Sequence, residues 1–186
     1  MSDITGTTDI AAITTTTTIT TITTARLILR SFQSNDFEKA YQLFSDPIVM
    51  RFSLNGPYSA EKCQIFIDQC MLKSKNNEPS LLAVIDKQTN QLIGSCGFFA
   101  QTIQGMAELE LGYRLLPHYW GKGLATEAAM AMKAYAFNEI GLTRLISLIE
   151  IENIASVRVA EKNGFKLEKT MLYDGRISVG MYVAIR

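Results

Sequence analysis

The sequence predicts an α+β fold: one domain on a mixed, mostly antiparallel sheet of about seven strands with a central parallel pair, flanked by about four helices. Three observations lead there. Short segments with strand-type apolar patterning are spread along the chain, while others repeat apolar residues at helical spacing. One helical segment joins two strand segments in a β-α-β step, whose crossover is right-handed by the general rule. A length of 186 residues suits one domain with a sizeable core.

The elements follow in order. ARLILRSF alternates as a strand from Arg26. Asn35 and Glu38 stand three apart in the capping-box relation and open a helix through EKAYQLFS, which Asp46-Pro47 stops. Ser59 is placed as an N-cap, and Cys63, Phe66, Ile67, Cys70 and Met71 then follow an amphipathic helical spacing. SLLAVID, QLIGSCGFFA and AELELGYRL, separated by KQTN and QTIQGM, read as an antiparallel meander. A helix from about Leu124 to Ile140 ends at Gly141, in the C′ position. RLISLIEI suits a strand covered on both faces. ASVRVAEKNG is a short helix closed by Gly164, and an Asp174-Gly175 turn joins the last two strands.

Residues 1–24 are half threonine and form a low-complexity segment distinct from the domain at 25–186. The segment lacks a basic n-region and an apolar h-region, so it is not a signal peptide. β-branched threonine also suits a strand added at a sheet edge; a tail outside the fold is the plainer reading. No apolar run approaches a membrane span. Eighteen Lys and Arg balance eighteen Asp and Glu, so there is no long-range field to gather nucleic acid or an anionic membrane. Cys63, Cys70 and Cys96 make no CxxC or Cys/His cluster and read as reduced core thiols, which points to the cytoplasm. With His118 as the one histidine, no metal site built on several imidazoles is expected.

LPHYWGKGLATEA, from Leu116 to Ala128, places Gly121-Lys122-Gly123 between a strand and a helix. The first helical amides lack internal partners and the helix dipole is positive there, so the turn is a local anion nest. A tight turn without a ligand is the alternative. Lys122 is followed by Gly123, which breaks a Walker A loop, and Thr126 stands where a dinucleotide fingerprint needs its third glycine.

From Arg26 onward the chain resembles the GNAT superfamily of acyl-CoA N-acyltransferases, in its RimJ/RimL-like branch. TARLILRSF, DPIVMRF, ELGYRLLPHYWGKGLATEA, NIASVRVAEKNGF and the closing hairpin carry the resemblance, in family order. It implies that the backbone of Gly121, Lys122, Gly123, Leu124, Ala125 and Thr126 binds the pyrophosphate of acetyl-CoA. His118 stands where the family pattern often has Gln or Arg. Tyr113, Arg114 and Leu115 would line the pantetheine arm, with a backbone amide there polarising the thioester carbonyl. Asn153 would hydrogen-bond that arm.

The implied chemistry is direct transfer of acetyl to a primary amine in a ternary complex. A base must remove the amine proton. Glu108 and Glu110 alternate on the strand entering the turn and so share a face, and Glu110 matches the family's base or water-holding position. A surface carboxylate is the alternative for both. A family tyrosine that protonates the thiolate falls here on Ala160; Ser156 is the branch's alternative acid. Asn153 and Ser156 also suit a helix cap. Tyr173 and Asp174 sit near the final hairpin, where turn residues are expected. Phe32, Met50, Phe52 and Tyr58 are acceptor-pocket candidates or ordinary core residues. No cysteine lies in the matched segments, which disfavours an acyl-cysteine route. The expected acceptor is a protein N-terminal amine, such as that of a ribosomal protein, or a small amine. A non-catalytic acyl-CoA-binding regulatory module is the alternative function. The final strands or the Thr tract offer edges for a homodimer.

Overall fold

The alternating segments assemble into a single twisted sheet sandwiched between two helical layers. The computed structural model describes residues 21–186. Its elements run β1 (Thr21–Thr23), β2 (Leu27–Arg30), α1 (Phe37–Ser45), α2 (Ala60–Lys75), β3 (Leu81–Asp86), β4 (Gln91–Ile103), β5 (Met106–Leu115), α3 (Leu124–Asn138), β6 (Arg144–Glu150), α4 (Ile154–Lys162), β7 (Lys166–Tyr173) and β8 (Ile177–Ile185). The sheet order is β1-β2-β3-β4-β5-β6-β8-β7. Every neighbouring pair is antiparallel except β5 and β6, which run parallel. The strand beyond the expected seven is β1, the end of the threonine-rich segment, which pairs with β2. The rest of that segment, residues 1–20, lies outside the described residues.

The two layers follow from the two residue sets of each strand. On one face Leu82, Val84, Ile93, Leu109 and Leu111 pack under Ala128, Met132 and Ala136 of α3. On the other, Leu81, Ala83, Ile85 and Leu92 pack under α1 and α2 through Leu43, Phe44, Cys63 and Ile67. The three cysteines are free and buried in these cores, as their spacing predicts. Burial pushes the Cys63 thiol up to about 11, so it behaves as a small hydrophobe. No helix among the described residues is long and apolar enough to cross a membrane.

The first helix starts differently from expectation. A 3-10 turn at Ser34–Asp36 precedes α1. Asp36, rather than Glu38, closes the cap: its Oδ2 accepts from Gln33 N–H at 2.8 Å and from Arg30 Nη1 at 2.7 Å. The ion pair with Arg30 offsets the cost of burying this carboxylate. Ser59 caps α2 as expected, accepting from Lys62 N–H at 3.2 Å. Helix α3 stops at Asn138, and Leu142 N–H reaches back to Ala136 C=O at 3.0 Å, with Gly141 left-handed at φ 79°. With Glu139 as the C-cap, the glycine stands one residue beyond the expected C′ position, because the helix ends two residues short of Ile140.

Strand β4 lies so close to its neighbours that two positions have no room for a side chain. A Cβ at Gly94 would fall 2.2 Å from Arg114 O, and one at Gly97 would fall 2.3 Å from Ser80 O. Both obstacles are backbone, which cannot rotate away. Gly97→Ala is therefore expected to destabilise the fold by about 1–3 kcal/mol in urea unfolding, through overpacking against β3. A loss below about 0.5 kcal/mol would show that β3 and β4 sit further apart than this.

Candidate active site

At the end of β5 the chain turns through Pro117–Tyr119 into Gly121-Lys122-Gly123 and α3. Gly121 and Gly123 are left-handed, at φ 73° and 76°, a conformation that bends the backbone with little strain only for glycine. The N-cap of α3 is Gly123, which has no side chain to cover the helix end. The first bond of the helix runs from Glu127 N–H to Gly123 C=O, 3.1 Å. The amides of Leu124, Ala125 and Thr126 precede that bond and leave the end polarised for an anion. Trp120 Nε1 donates to Leu115 O at 2.6 Å and pins the turn to the strand. Lys122 is exposed, its Nζ 5.3 Å from the Tyr119 ring centroid. His118 is exposed too.

A clamp holds this turn from the far side, and the sequence reading does not contain it. Arg26 Nε donates to Glu127 Oε2 at 2.6 Å, and Nη1 donates to Lys122 O at 2.9 Å. Arg26 N–H and the Thr24 hydroxyl both donate to Glu127 Oε1, at 2.8 and 2.6 Å. Burial acts to raise the Glu127 pKa, but the Thr24 and Arg26 donors outweigh it and hold the carboxyl below the usual range. A bare carboxylate in the first turn of α3 would compete with any bound anion; Arg26 offsets it. The available signal was an Arg at the domain start and a Glu in the first turn of α3, about a hundred residues apart, and only topology joins them.

Strands β5 and β6 pair in register at Glu110↔Ile146 and then part. Below the fork, Arg144 binds Glu108 (Nε to Oε1, 3.0 Å) and Glu168 (Nη1 to Oε2, 2.7 Å). At the fork, Ser147 Oγ donates to Leu111 O at 3.0 Å. Beyond it, Gly112 to Leu115 remain paired to β4 on one edge, with the other edge facing the gap. The opposite lip is the end of β6 and the start of α4.

Glu110 sits at this fork, partly buried. Its Oε2 accepts from Gln101 Nε2 at 2.6 Å, and its carboxyl also accepts a backbone hydrogen bond from Leu148. Burial pushes the Glu110 pKa up; those two donors and the Arg114 charge oppose it without cancelling it. Tyr173 Oη donates to Gln101 Oε1 at 3.1 Å, which orients the amide. Glu108, the other carboxylate on this face, is buried and committed to Arg144. The structure thus separates the two glutamates: one is locked in an ion pair, the other faces neutral donors.

On the opposite lip, Asn153 caps α4, its Oδ1 accepting from Ser156 N–H at 3.2 Å. Ser156 is half-buried in the first turn. Tyr113 Oη donates to Ser156 O at 3.3 Å across the gap, and burial raises its pKa, so the phenol stays protonated. Ala160 is buried in the core and supplies no acid. Leu115 is buried beneath the gap. Arg114 departs from its expected company: its side chain leaves on the other face, with Nη2 donating to Ser53 Oγ at 2.7 Å.

On that other face lies a cleft of about 620 Å³, walled by Leu54 and Asn55, by Gln101, and by Tyr173 with the final hairpin. Tyr173 therefore faces the cleft as well as ending its strand. Of the proposed acceptor-pocket residues, Phe32 and Met50 are buried core instead, because the α1 layer needs their volume. Tyr58 stacks on Phe44 with ring centroids 5.5 Å apart, and the Arg51 guanidinium lies over Phe52 at 5.1 Å.

Residues 26–166 match the sequence model of a family described as an acetyltransferase (GNAT) domain. The uncharacterized N-acetyltransferase YnaD of Bacillus subtilis is 35% identical over 143 residues, 77% of this chain and 81% of that protein. A GNAT-family acetyltransferase structure from Bacillus anthracis superposes with a TM-score of 0.77 at 29% identity, over 89% of this chain and 98% of that one. RimL, a ribosomal-protein α-N-acetyltransferase solved with coenzyme A, shares the fold at TM-score 0.73 and 24% identity, over 89% of this chain and 97% of that one.

The fork makes one measurable statement by itself. In a carboxyl-resolved NMR titration, Glu110 is expected to titrate above the ordinary glutamate value of ~4.3. Gln101→Leu removes a donor to the charged form and should move it higher still. A downward move would mean that the amide does not stabilise the carboxylate.

Proposed function

The chain belongs to the GNAT acetyltransferase family, and on that premise we propose that it transfers acetyl from acetyl-CoA to a primary amine directly, within a ternary complex. The observation that carries this reading is the fork: one open β5 edge runs from a partly buried, ion-pair-free carboxylate to a polarised helix end. In this reading the amides from Gly121 to Thr126 hold the pyrophosphate, as at other helix N-termini that bind phosphate. The backbone of Tyr113, Arg114 and Leu115 lines the arm, and Asn153 stands at its other side.

The acceptor arrives mostly as an ammonium, since alkyl amines have pKa values of about 8–10. Glu110 takes that proton, directly or through water, and the neutral nitrogen attacks the thioester carbonyl. The C–N bond forms, the carbonyl oxygen collects negative charge near a β5 amide, and the C–S bond then breaks. As the C–S bond breaks, the nitrogen's second proton passes through the Ser156 hydroxyl to the departing sulfur, which leaves the serine as it began, while Glu110 returns the first proton to solvent. The products are an N-acetyl amide and CoA thiol. A carboxyl with a raised pKa is the better base for an ammonium, provided the pH is above that pKa.

The sign of the pH dependence follows. The base form of Glu110 appears as pH rises through a pKa shifted upward from the carboxylate range, so kcat/KM should climb along a displaced acid limb. Following CoA thiol release over a panel of peptide N-termini and small amines, Glu110→Gln is expected to lower kcat by about 10²- to 10⁴-fold and to abolish that limb. Tight acetyl-CoA binding with no turnover on any amine would instead identify a non-catalytic acyl-CoA-binding module. Arg26→Met should weaken acetyl-CoA binding by about fivefold, because it uncovers Glu127 beside the anion. Adding Glu127→Gln should recover most of that loss in a double-mutant cycle. Equal losses in both backgrounds would remove the clamp from the binding site.

A further inference from the structure

Four arginines among the described residues have a carboxylate partner: Arg26, Arg30, Arg144 and Arg176. Arg51 is exposed and lies over the Phe52 ring, and Arg158 and Arg186 are exposed. Arg114 is different. It is partly buried, and its side-chain hydrogen bond goes to a neutral hydroxyl, Ser53 Oγ at 2.7 Å. A guanidinium has five donors in a rigid fork that matches a carboxylate. Glu110 lies near enough for its charge to act on Arg114, but its carboxyl is bonded by Gln101 and Leu148 and makes no ion pair with the guanidinium, so the fork of donors still suits a bound carboxylate.

The neighbours of Arg114 say where that anion would come from. Glu110, Gly112 and Arg114 alternate along one face of β5. At Gly112 the ring of Phe99 covers the strand, its Cε2 only 2.8 Å from where a Cβ would stand. Glu110 and Arg114 thus flank an aromatic floor. Ser53, which holds Arg114, precedes Leu54 and Asn55 of the cleft wall, and Gln101, which holds Glu110, belongs to that wall too. The charged residues lining the cleft are Asp174 and Arg176, and they pair with each other. Among the described residues no unpaired acid lines it to receive a second ammonium, as an acceptor with several amines would require.

We propose that the acceptor is a small amine carrying its own carboxylate, an amino acid or close analogue, whose carboxylate is taken by Arg114 while its amine faces Glu110. This rests on the transferase reading of the same site and narrows it to a substrate class. Arg114 acts here through its side chain, on the opposite face from the arm of the co-substrate.

The test compares amino acids, with the amine one to three carbons from the carboxylate, against their own amides and against polyamines. In acetyl transfer, kcat/KM for the acids is expected to exceed that for the amides by at least about tenfold, the scale of one charge-assisted bidentate contact. Arg114→Met should collapse that ratio to near one, and Arg114→Lys should keep part of it. The ratio is the readout because a folding, cofactor or Glu110 effect changes both members alike. Equal turnover of acids and amides, preference for polyamines or for peptides without a nearby carboxylate, or a ratio that survives Arg114→Met would each overturn the proposal while leaving the transferase standing. Calorimetric titration of the same compounds into protein saturated with CoA separates the two readings. Carboxylate-dependent binding that Arg114→Met abolishes, without any transfer, would sustain the site and sink the transferase. Absence of any preference for the acid in binding would sink the site.

Discussion

The parting of β5 from β6 is the constraint on which the rest of the site depends. A parallel pair left to itself would continue its ladder, because unpaired backbone groups inside a protein are costly. Here the ladder is stopped by what surrounds it. Arg144 ties the closed end together through Glu108 and Glu168, and Ser147 Oγ satisfies Leu111 O where the next strand bond would be. β6 is held along its other edge by β8, from Arg144↔Ile185 to Glu150↔Val179, and β5 is held by β4 up to Gly94↔Leu115. Each strand is fixed by its outer neighbour, so neither is free to close the gap. A backbone edge left open by its own neighbours is then ready for a ligand that pairs like a strand.

Charge is distributed around the fork by the same logic. Among the carboxylates near it, Glu108 and Glu127 are neutralised by Arg144 and Arg26. Glu110 makes no ion pair and is hydrogen-bonded by amide donors, from Gln101 and Leu148, with the Arg114 charge acting only from a distance. An arginine contact would hold a carboxylate ionised and weak as a base. Neutral donors keep it oriented while burial keeps its proton affinity high. The anion end shows the converse. Its positive potential comes from backbone amides, and Lys122 spends its charge over Tyr119 in solvent.

Much of this was legible in the sequence because local rules suffice for it. The strand and helix periods, the Ser59 cap, the Gly164 closure and the Gly121-Lys122-Gly123 turn are short-range features, and each stands where its spacing predicts. The alternation of Glu108 and Glu110 places both on one face, and that also holds. What alternation leaves open is which of the two is spent in an ion pair, because Arg144 arrives through the β-α-β crossover. The Arg26–Glu127 clamp is hidden for the same reason. Asp36 is not legible as the cap because its partner Arg30 lies on the preceding strand, whereas the local spacing favours Glu38. Phe32 and Met50 looked like pocket residues only while the depth of the α1 layer was unknown.

Arg114 joins these threads. The family resemblance implies that it is one of three residues lining the co-substrate arm, a role that would belong to its backbone. The strand's period then sends its side chain to the opposite face, where the arm does not run. In the proposed reaction one residue would serve both substrates, with its main chain toward the gap and its guanidinium held by Ser53 beside the cleft wall. Glu110, four residues earlier on the same face, has the same double position: its main chain is at the fork and its carboxyl is turned to the Gln101 wall. A single strand can place an amine donor against a thioester in this way, because its edge carries one reactant and its face receives the other.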